Sequence, residues 1–173
     1  MRIRTLGDPV LKAVAKPVER FDGSLRHLVD DMLETMYDAP GVGLAAPQVG
    51  ISLGCFVFDD GNTGPMFLAN PELSFGDGED VLEEGCLSIP GPFYPTSRSA
   101  SVVCRGRDVR GEPLEIAAEG LLARIFQHET DHLRGTLFVD RLDEEGRKAV
   151  LAELRRIELG LSEPRKRRSG DGD

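Results

Sequence analysis

Apolar residues recur at three- and four-residue intervals in three segments, and each of these segments predicts a helix. The clearest covers residues 24–37, where one apolar stripe follows the capping residues Asp22, Gly23 and Ser24. A second covers residues 118–133 and is closed by Gly135. A third begins near residue 143 and ends at residue 160.

Four shorter apolar runs, separated by Gly, Asn, Asp and Pro, predict strands. They cover residues 51–58, 65–75, 100–104 and 113–117. No helical segment fits between them, which favours hairpins over parallel strands with crossover helices. The predicted fold class is therefore α+β, with antiparallel sheets packed around the second helix as the central helix. The N-terminal and C-terminal helices flank this arrangement.

The 173 residues of the chain suit one domain, which we place at residues 1–160. Residues 161–173 are basic and then acidic, and from Arg165 onwards they offer no apolar side chain to bury. A segment of this composition predicts a disordered tail.

Composition excludes several functional classes. The net charge of −9 disfavours general attraction to nucleic acid, and no recognition of a specific nucleic acid sequence is predicted. No run approaches the ~18 consecutive apolar residues of a membrane span. The N-terminus lacks the apolar core of a secretory signal, so we predict a cytoplasmic protein. The three cysteines cannot all pair, and a reducing compartment keeps them as thiols.

The predicted second helix contains the pattern H-E-x-x-H, formed by His128, Glu129 and His132. Residues four apart share a helix face, so both imidazoles can reach one cation while Glu129 faces a water molecule. The alternative is a polar pair on a solvated face, but residues 121–126 are too apolar for a surface helix. His27 is predicted to be exposed and unrelated.

A catalytic metal site usually has three protein ligands, so two histidines leave one to be found. A thiolate from Cys86 is one possibility, because this residue lies in a segment rich in Gly and Pro, interpreted as a loop. Cys55 and Cys104 lie in strand-like apolar runs, which favours buried structural thiols. The other possibility is a carboxylate downstream of the helix. The candidates are Asp140, Asp143, Glu144 and Glu145.

Residues 41–46 match the G-x-G-x-x-A pattern of a dinucleotide-binding turn. This interpretation is excluded because the segment follows a helix instead of a strand, and Pro47 would interrupt the helix that should follow. We expect instead that Gly41 and Gly43 let a ligand approach the backbone, and that Gln48 supplies an amide donor.

Three segments together resemble the signature motifs of the peptide deformylase family, in the family's order and spacing. They are GVGLAAPQ at residues 41–48, EGCLS at residues 84–88 and QHETDH at residues 127–132. The resemblance extends to about residue 142. The family removes the formyl group from the initiator methionine of new bacterial polypeptides. The resemblance implies that residues 1–160 form a catalytic domain acting on N-formylmethionyl nascent peptides.

The resemblance also assigns roles to individual residues. It implies that Cys86, His128 and His132 bind one divalent metal ion, Fe²⁺ in the cell with Zn²⁺ as the other option. A thiolate with two imidazoles suits either ion. Glu129 would act as the general base. The amide of Gln48 and the backbone N–H of Leu87 would donate to the formyl oxygen.

Substrate contacts are expected from the first two motifs. Val42, Gly43, Leu44 and Gly85 are the predicted substrate-binding residues, with the two glycines bonding the substrate backbone as an added strand. An apolar pocket for methionine is also expected. Its candidates beside Gly43 are Val42, Leu82, Leu121 and Ile125.

Two regions and two rival functions remain open. An aromatic pair in residues 91–96 stands where better-known family members often carry a charge, and the sequence does not decide whether Arg98 meets substrate or solvent. The basic run at residues 165–168 suggests a weak contact with the ribosome. The rival functions are a zinc endopeptidase with a carboxylate ligand and an inactive paralogue that binds peptides.

Overall fold

The computed structural model describes residues 1–165 and has three α-helices, each within a few residues of its predicted position. Helix α1 spans Gly23–Asp38, α2 spans Gly120–Leu133 and α3 spans Glu144–Glu158. The Asp22 carboxylate accepts hydrogen bonds from the first backbone N–H groups of α1, and Asp143 accepts one from Gly146 in α3. These caps define where two of the helices begin.

Seven antiparallel strands form two sheets, which confirms the α+β class. The strands are β1 (Gly43–Ala45), β2 (Cys55–Phe58), β3 (Met66–Phe75), β4 (Glu79–Cys86), β5 (Ile89–Ser99), β6 (Ser101–Arg107) and β7 (Pro113–Glu119). The larger sheet has the order β1-β2-β3-β6-β7, and β4 and β5 form a separate hairpin. The four predicted strands correspond to β2, β3, β6 and β7.

The other three strands correct the sequence analysis. The segment interpreted as a loop around Cys86 is the end of β4, a two-residue turn and the start of β5. Most of β4 is exposed and acidic, and β5 contains prolines at 90, 92 and 95. Proline is tolerated in a two-stranded ribbon because each strand has a free edge. Neither β4 nor β5 therefore shows the apolar alternation that predicts a strand.

The buried apolar side chains form three clusters. The first lies between α1 and strands β1–β3. The second lies between the apolar face of α2, with Phe126 at its centre, and the larger sheet. The third joins the β4–β5 hairpin to α3 through Ile89, Val150 and Leu154. Helix α2 and the hairpin therefore bury their apolar sides in different clusters.

The last described residues return to the hairpin. Arg165 forms an ion pair with Glu83, and its guanidinium lies 5.6 Å from the centre of the Phe93 ring. The predicted tail of residues 161–173 lies outside the described residues from 166 onwards. Within residues 1–165, no helix combines the length and the apolarity that a membrane crossing requires.

Candidate metal centre and active site

Helix α2 and the end of β4 bring three metal-binding side chains together. His128 and His132 lie one turn apart on α2, and their Nε2 atoms are 3.2 Å apart. Cys86 is the last residue of β4, and its Sγ lies 3.3 Å from Nε2 of His132. One ligand atom from each residue lies within 4.8 Å of the other two. The three side chains converge although Cys86 and His132 are 46 residues apart.

These distances fit a tetrahedral ion. Ligand bonds of about 2.0 Å to nitrogen and about 2.3 Å to sulfur place tetrahedral ligand atoms roughly 3.3–3.6 Å apart. Burial, followed by the charge of His128, lowers the pKa of His132 well below its usual value. Burial also disfavours the charged form of His128, but its contacts with Cys86 and Glu84 raise its pKa well above the usual value. A neutral imidazole is the form that binds metals. The thiolate and imidazole donors suit zinc or ferrous iron and not magnesium or calcium.

Three of the four candidate carboxylates downstream of the helix have other partners. Asp140 pairs with Lys12, Asp143 caps α3, and Glu144 pairs with Lys148. In the part of the chain that the structure describes, the trio with Cys86 is the one group of three such side chains close enough to share an ion. The geometry therefore favours the cysteine over a carboxylate as the third ligand.

A buried carboxylate orients one of the histidines. Glu84 lies two residues before Cys86 on β4, and its Oε1 is 2.6 Å from Nδ1 of His128. It also accepts two hydrogen bonds from Arg98 and one from Arg124. Burial alone would raise the pKa of Glu84, but the donors and charges of His128 and Arg98 hold it well below its usual value. A carboxylate on the second ring nitrogen fixes the orientation of a metal-binding histidine.

Glu129 is buried beside Gly43 of the first motif. Its side chain is 4% exposed, and Oε2 has no hydrogen-bond partner among residues 1–165. Burial raises the pKa of Glu129 to about 7. A Cβ atom on Gly43 would lie 2.4 Å from its Oε1, so the absence of a side chain at Gly43 gives the carboxylate its space. A buried carboxyl group with a pKa near neutrality suits a general base.

Gln48 is held rigidly beside the cysteine. Its Oε1 accepts a hydrogen bond from the backbone N–H of Ala45, which orients the amide nitrogen. That nitrogen donates to Sγ of Cys86 at 3.6 Å and to Oγ of Ser88 at 3.2 Å. Leu87 occupies the turn between β4 and β5, and its side chain packs against Gly41. The amide of Gln48 and the backbone of Leu87 therefore both adjoin Cys86.

Three of the four predicted substrate-binding residues lie in strands with a free edge. Gly43 and Leu44 belong to β1, an outer strand of the larger sheet, and Gly85 belongs to β4, which pairs with β5 alone in the described fold. Leu44 is fully buried and exposes neither its side chain nor its backbone.

The pocket candidates divide by exposure. Leu82 and Leu121 are 51% and 40% exposed, whereas Ile125 is 3% exposed and packs in the second cluster. Val42 is partly buried against the same cluster. The two leucines are exposed enough to contact a ligand, whereas Ile125 is a core residue.

The sequence analysis assigned no role to three charged residues of the site, Glu84, Arg98 and Arg124. Arg98, whose environment was undecided, is 6% exposed and bonds Glu84 and Asp131. Arg124 is equally buried. It was given no role because it lies within an apolar segment. Two features of the sequence could have indicated them. Arg124 lies one helical turn before His128 on the same face, and Glu84 lies two residues before Cys86 on the same face of its strand.

Comparisons with known proteins agree with this geometry. Residues 1–148 match the family model described as polypeptide deformylase. A peptide deformylase of Acidothermus cellulolyticus is 52% identical over 157 residues, which cover 90% of this chain and 86% of that protein. The crystal structure of a Legionella pneumophila peptide deformylase superposes with a TM-score of 0.87 at 44% identity, covering 94% of this chain and 98% of that one.

The crystal structure of the Thermotoga maritima peptide deformylase gives a TM-score of 0.80 at 50% identity, covering 82% and 97% of the two chains. The matched region contains all three motifs and both elements that carry the metal-binding trio. The chain therefore belongs to the peptide deformylase family of enzymes.

Proposed function

We propose that this protein is a metal-dependent hydrolase that removes the formyl group from N-formylmethionyl peptides and releases formate. The observation that carries the proposal is the convergence of the Cys86, His128 and His132 donor atoms within 4.8 Å. The buried Glu129 follows His128 in α2, and Gln48, oriented by Ala45, donates to Cys86. This is a complete set for hydrolysis of an amide: ligands, a base and an amide donor.

We propose ferrous iron as the ion in the cell, on the strength of the family resemblance, with zinc as the alternative. Cys86, His128 and His132 would hold it. When bound, a divalent ion supplies Lewis-acid activation of a water molecule. A thiolate that ligates ferrous iron is sensitive to oxidation. We therefore expect iron-loaded protein to lose activity in air and zinc-loaded protein to retain it, and sustained activity of the iron form in air would contradict the choice of iron.

The side chains of the site divide the proton and charge transfers between them. Glu129 takes a proton from the attacking water and returns it to the leaving amine. Negative charge develops on the formyl oxygen, where the Gln48 amide and the Leu87 backbone N–H donate hydrogen bonds. Because Gln48 is already oriented by Ala45, little reorganisation accompanies the reaction. Glu84 holds the ring of His128 throughout.

The substrate binds as an added strand between the edges of β1 and β4. Gly43 and Gly85 lack side chains that would block a peptide backbone at these edges. Main-chain hydrogen bonds read the first residues of a substrate and leave later side chains free. Leu82 and Leu121 offer exposed apolar surface for the methionine side chain. This arrangement suits an enzyme that acts on many different nascent proteins.

Formate release from a formyl-Met-Ala-Ser peptide tests the function. The protein is prepared without oxygen, loaded with ferrous iron, and compared with the Glu129→Gln variant, which keeps the shape of the side chain and removes its basicity. Loss of a general base lowers the rate by roughly 10²–10⁴-fold. Absence of formate release from folded, metal-loaded parent protein would refute the function.

Two further predictions complete the proposal. Residues 1–160 act as one catalytic domain, since every site residue lies between 42 and 132. The ribosome contact of residues 165–168 stays a prediction, and of that run the structure describes Arg165 alone.

Cleavage of internal peptide bonds, without formate release, would instead identify an endopeptidase. Binding of formylated peptides without turnover would identify an inactive paralogue.

A further inference from the structure

The two elements that carry the metal-binding residues belong to different halves of the core. The apolar face of α2, which carries His128 and His132, packs on the larger sheet. Cys86 packs with α3 in the third cluster. The hairpin shares no strand pairing with the larger sheet. The distance between the thiol and the two imidazoles therefore depends on what joins α2 to the hairpin.

A stripe of three buried polar residues on α2 makes this connection. We call Arg124, Gln127 and Asp131 the polar stripe; they are spaced i, i+3 and i+7 and therefore share one helix face. Each is between 5% and 6% exposed. Their hydrogen-bond partners in the hairpin come from both β4 and β5. These partners are Asp80, Glu84, Thr96, Arg98 and Ser99.

Within the stripe, Arg124 makes the most extensive connection. Its Nη1 donates to Oε2 of Glu84 at 2.7 Å and to the carbonyl oxygen of Thr96 at 2.9 Å. Its Nη2 donates to the carbonyl oxygen of Asp80 at 3.0 Å. One planar guanidinium thus spans both strands of the hairpin from a position one turn before His128. Because the guanidinium is planar and rigid, these bonds fix the orientation of the hairpin relative to α2 as well as its distance.

We propose that Arg124 is a positioning residue of the metal centre. It holds the hairpin, and with it Cys86, at the separation from the two histidines that an ion requires, and it fixes the Glu84 carboxylate that orients His128. The inference rests on the proposed metal-binding role of the trio. It adds a residue that lies outside the three signature motifs and whose side chain bonds the hairpin instead of a metal ligand.

Metal affinity tests the role, independently of catalysis. Zinc binding is measured by competition with a chromophoric chelator in the parent and in Arg124→Leu, Arg124→Lys and Arg141→Leu. Cobalt loading adds a spectroscopic signature, because the thiolate-to-cobalt absorption band reports ligation by Cys86. Urea unfolding of each variant measures its fold stability separately.

We expect Arg124→Leu to weaken zinc binding by about 10–100-fold and to reduce the thiolate-to-cobalt band. Arg124→Lys restores a charge but cannot span both strands, so its affinity falls between those of the parent and the leucine variant. Arg141→Leu is the matched control. It removes a guanidinium that pairs with Asp131 from outside the hairpin and is 48% exposed, so its affinity changes by no more than about twofold.

The outcomes separate this inference from the proposed function. Folded Arg124→Leu with the parent's zinc affinity and cobalt spectrum would overturn the positioning role, even if its stability is lower. Should that variant fail to fold, Arg124→Lys decides in the same way: weaker binding supports the role and parental binding overturns it. A parent that binds metal without releasing formate would refute the proposed function and leave this inference intact. A parent that binds no metal would refute both.

Discussion

A methyl group at Gly43 is predicted to displace the catalytic carboxylate without disturbing the metal ligands. Gly43 lies in β1 with φ outside the left-handed region, so alanine introduces no backbone strain. The added Cβ would lie 2.4 Å from Oε1 and 2.9 Å from Cδ of Glu129. Glu129 is 4% exposed, which leaves little free space around it.

The size of the effect follows from the displacement. Ordinary contacts begin at 3.4 Å, so the carboxylate must move by about 1 Å. A misplacement of ~1 Å at a reacting group costs about 100-fold in rate, which corresponds to about 2.7 kcal/mol. Overpacking of a buried site also lowers the free energy of unfolding by roughly 1–3 kcal/mol. Gly43→Ala should therefore remain folded and lose most of its activity.

Three measurements on the same preparation separate these effects: formate release, metal content and urea unfolding. Metal content should match the parent, because the three atoms nearest to the new Cβ all belong to Glu129. Gly23→Ala is the matched control. A Cβ at Gly23 has no atom within 4 Å, so this variant should keep the parental rate. The reasoning fails if Gly43→Ala carries full metal and retains more than half of the parental rate.

Three other predictions concern stability and thiol reactivity. Glu84→Gln removes the carboxylate that pairs with buried Arg124 and one of the two that pair with buried Arg98, and should lower the free energy of unfolding at pH 7 by about 3–5 kcal/mol. A loss below about 1 kcal/mol would contradict the network's importance. Although burial raises it, one histidine and one arginine hold the pKa of Glu84 below its usual value, so its contribution to stability is present above the unfolded pKa and is lost as pH falls. The parent's unfolding free energy should thus fall more steeply than the variant's as the pH is lowered through and below the unfolded glutamate pKa of roughly 4.3. Burial raises the pKa values of Cys55 and Cys104 to about 12. Iodoacetamide at about pH 8 should therefore label Cys86 alone in metal-free folded protein, and no cysteine after zinc loading, as measured by mass spectrometry. Rapid labelling of a second thiol would be inconsistent with this burial. Asp143→Ala removes the cap of α3 and should cost about 1 kcal/mol in urea unfolding with formate release unchanged, and an altered rate would show that α3 reaches the site.

The sequence determined the parts of this protein that depend on neighbours along the chain. Apolar spacing and capping residues predicted all three helices, because these signals act over one or two turns. The i, i+4 spacing of His128 and His132 predicted two ligands on one face for the same reason. Resemblance to a family then named Cys86 as the third ligand. Spacing alone had left the downstream carboxylates equally open.

Tertiary structure decided how the third ligand and the charged network reach α2. The β4–β5 hairpin was missed because its outer face is exposed and its prolines disrupt the apolar alternation. Glu84 meets Arg124 and His128 across separations of 40 and 44 residues, and no local pattern encodes such a contact. The sequence left the environment of Arg98 undecided and assigned no role to Arg124, yet both are buried. Buried charges are stable only with partners, and those partners are set by how the hairpin packs against the helix.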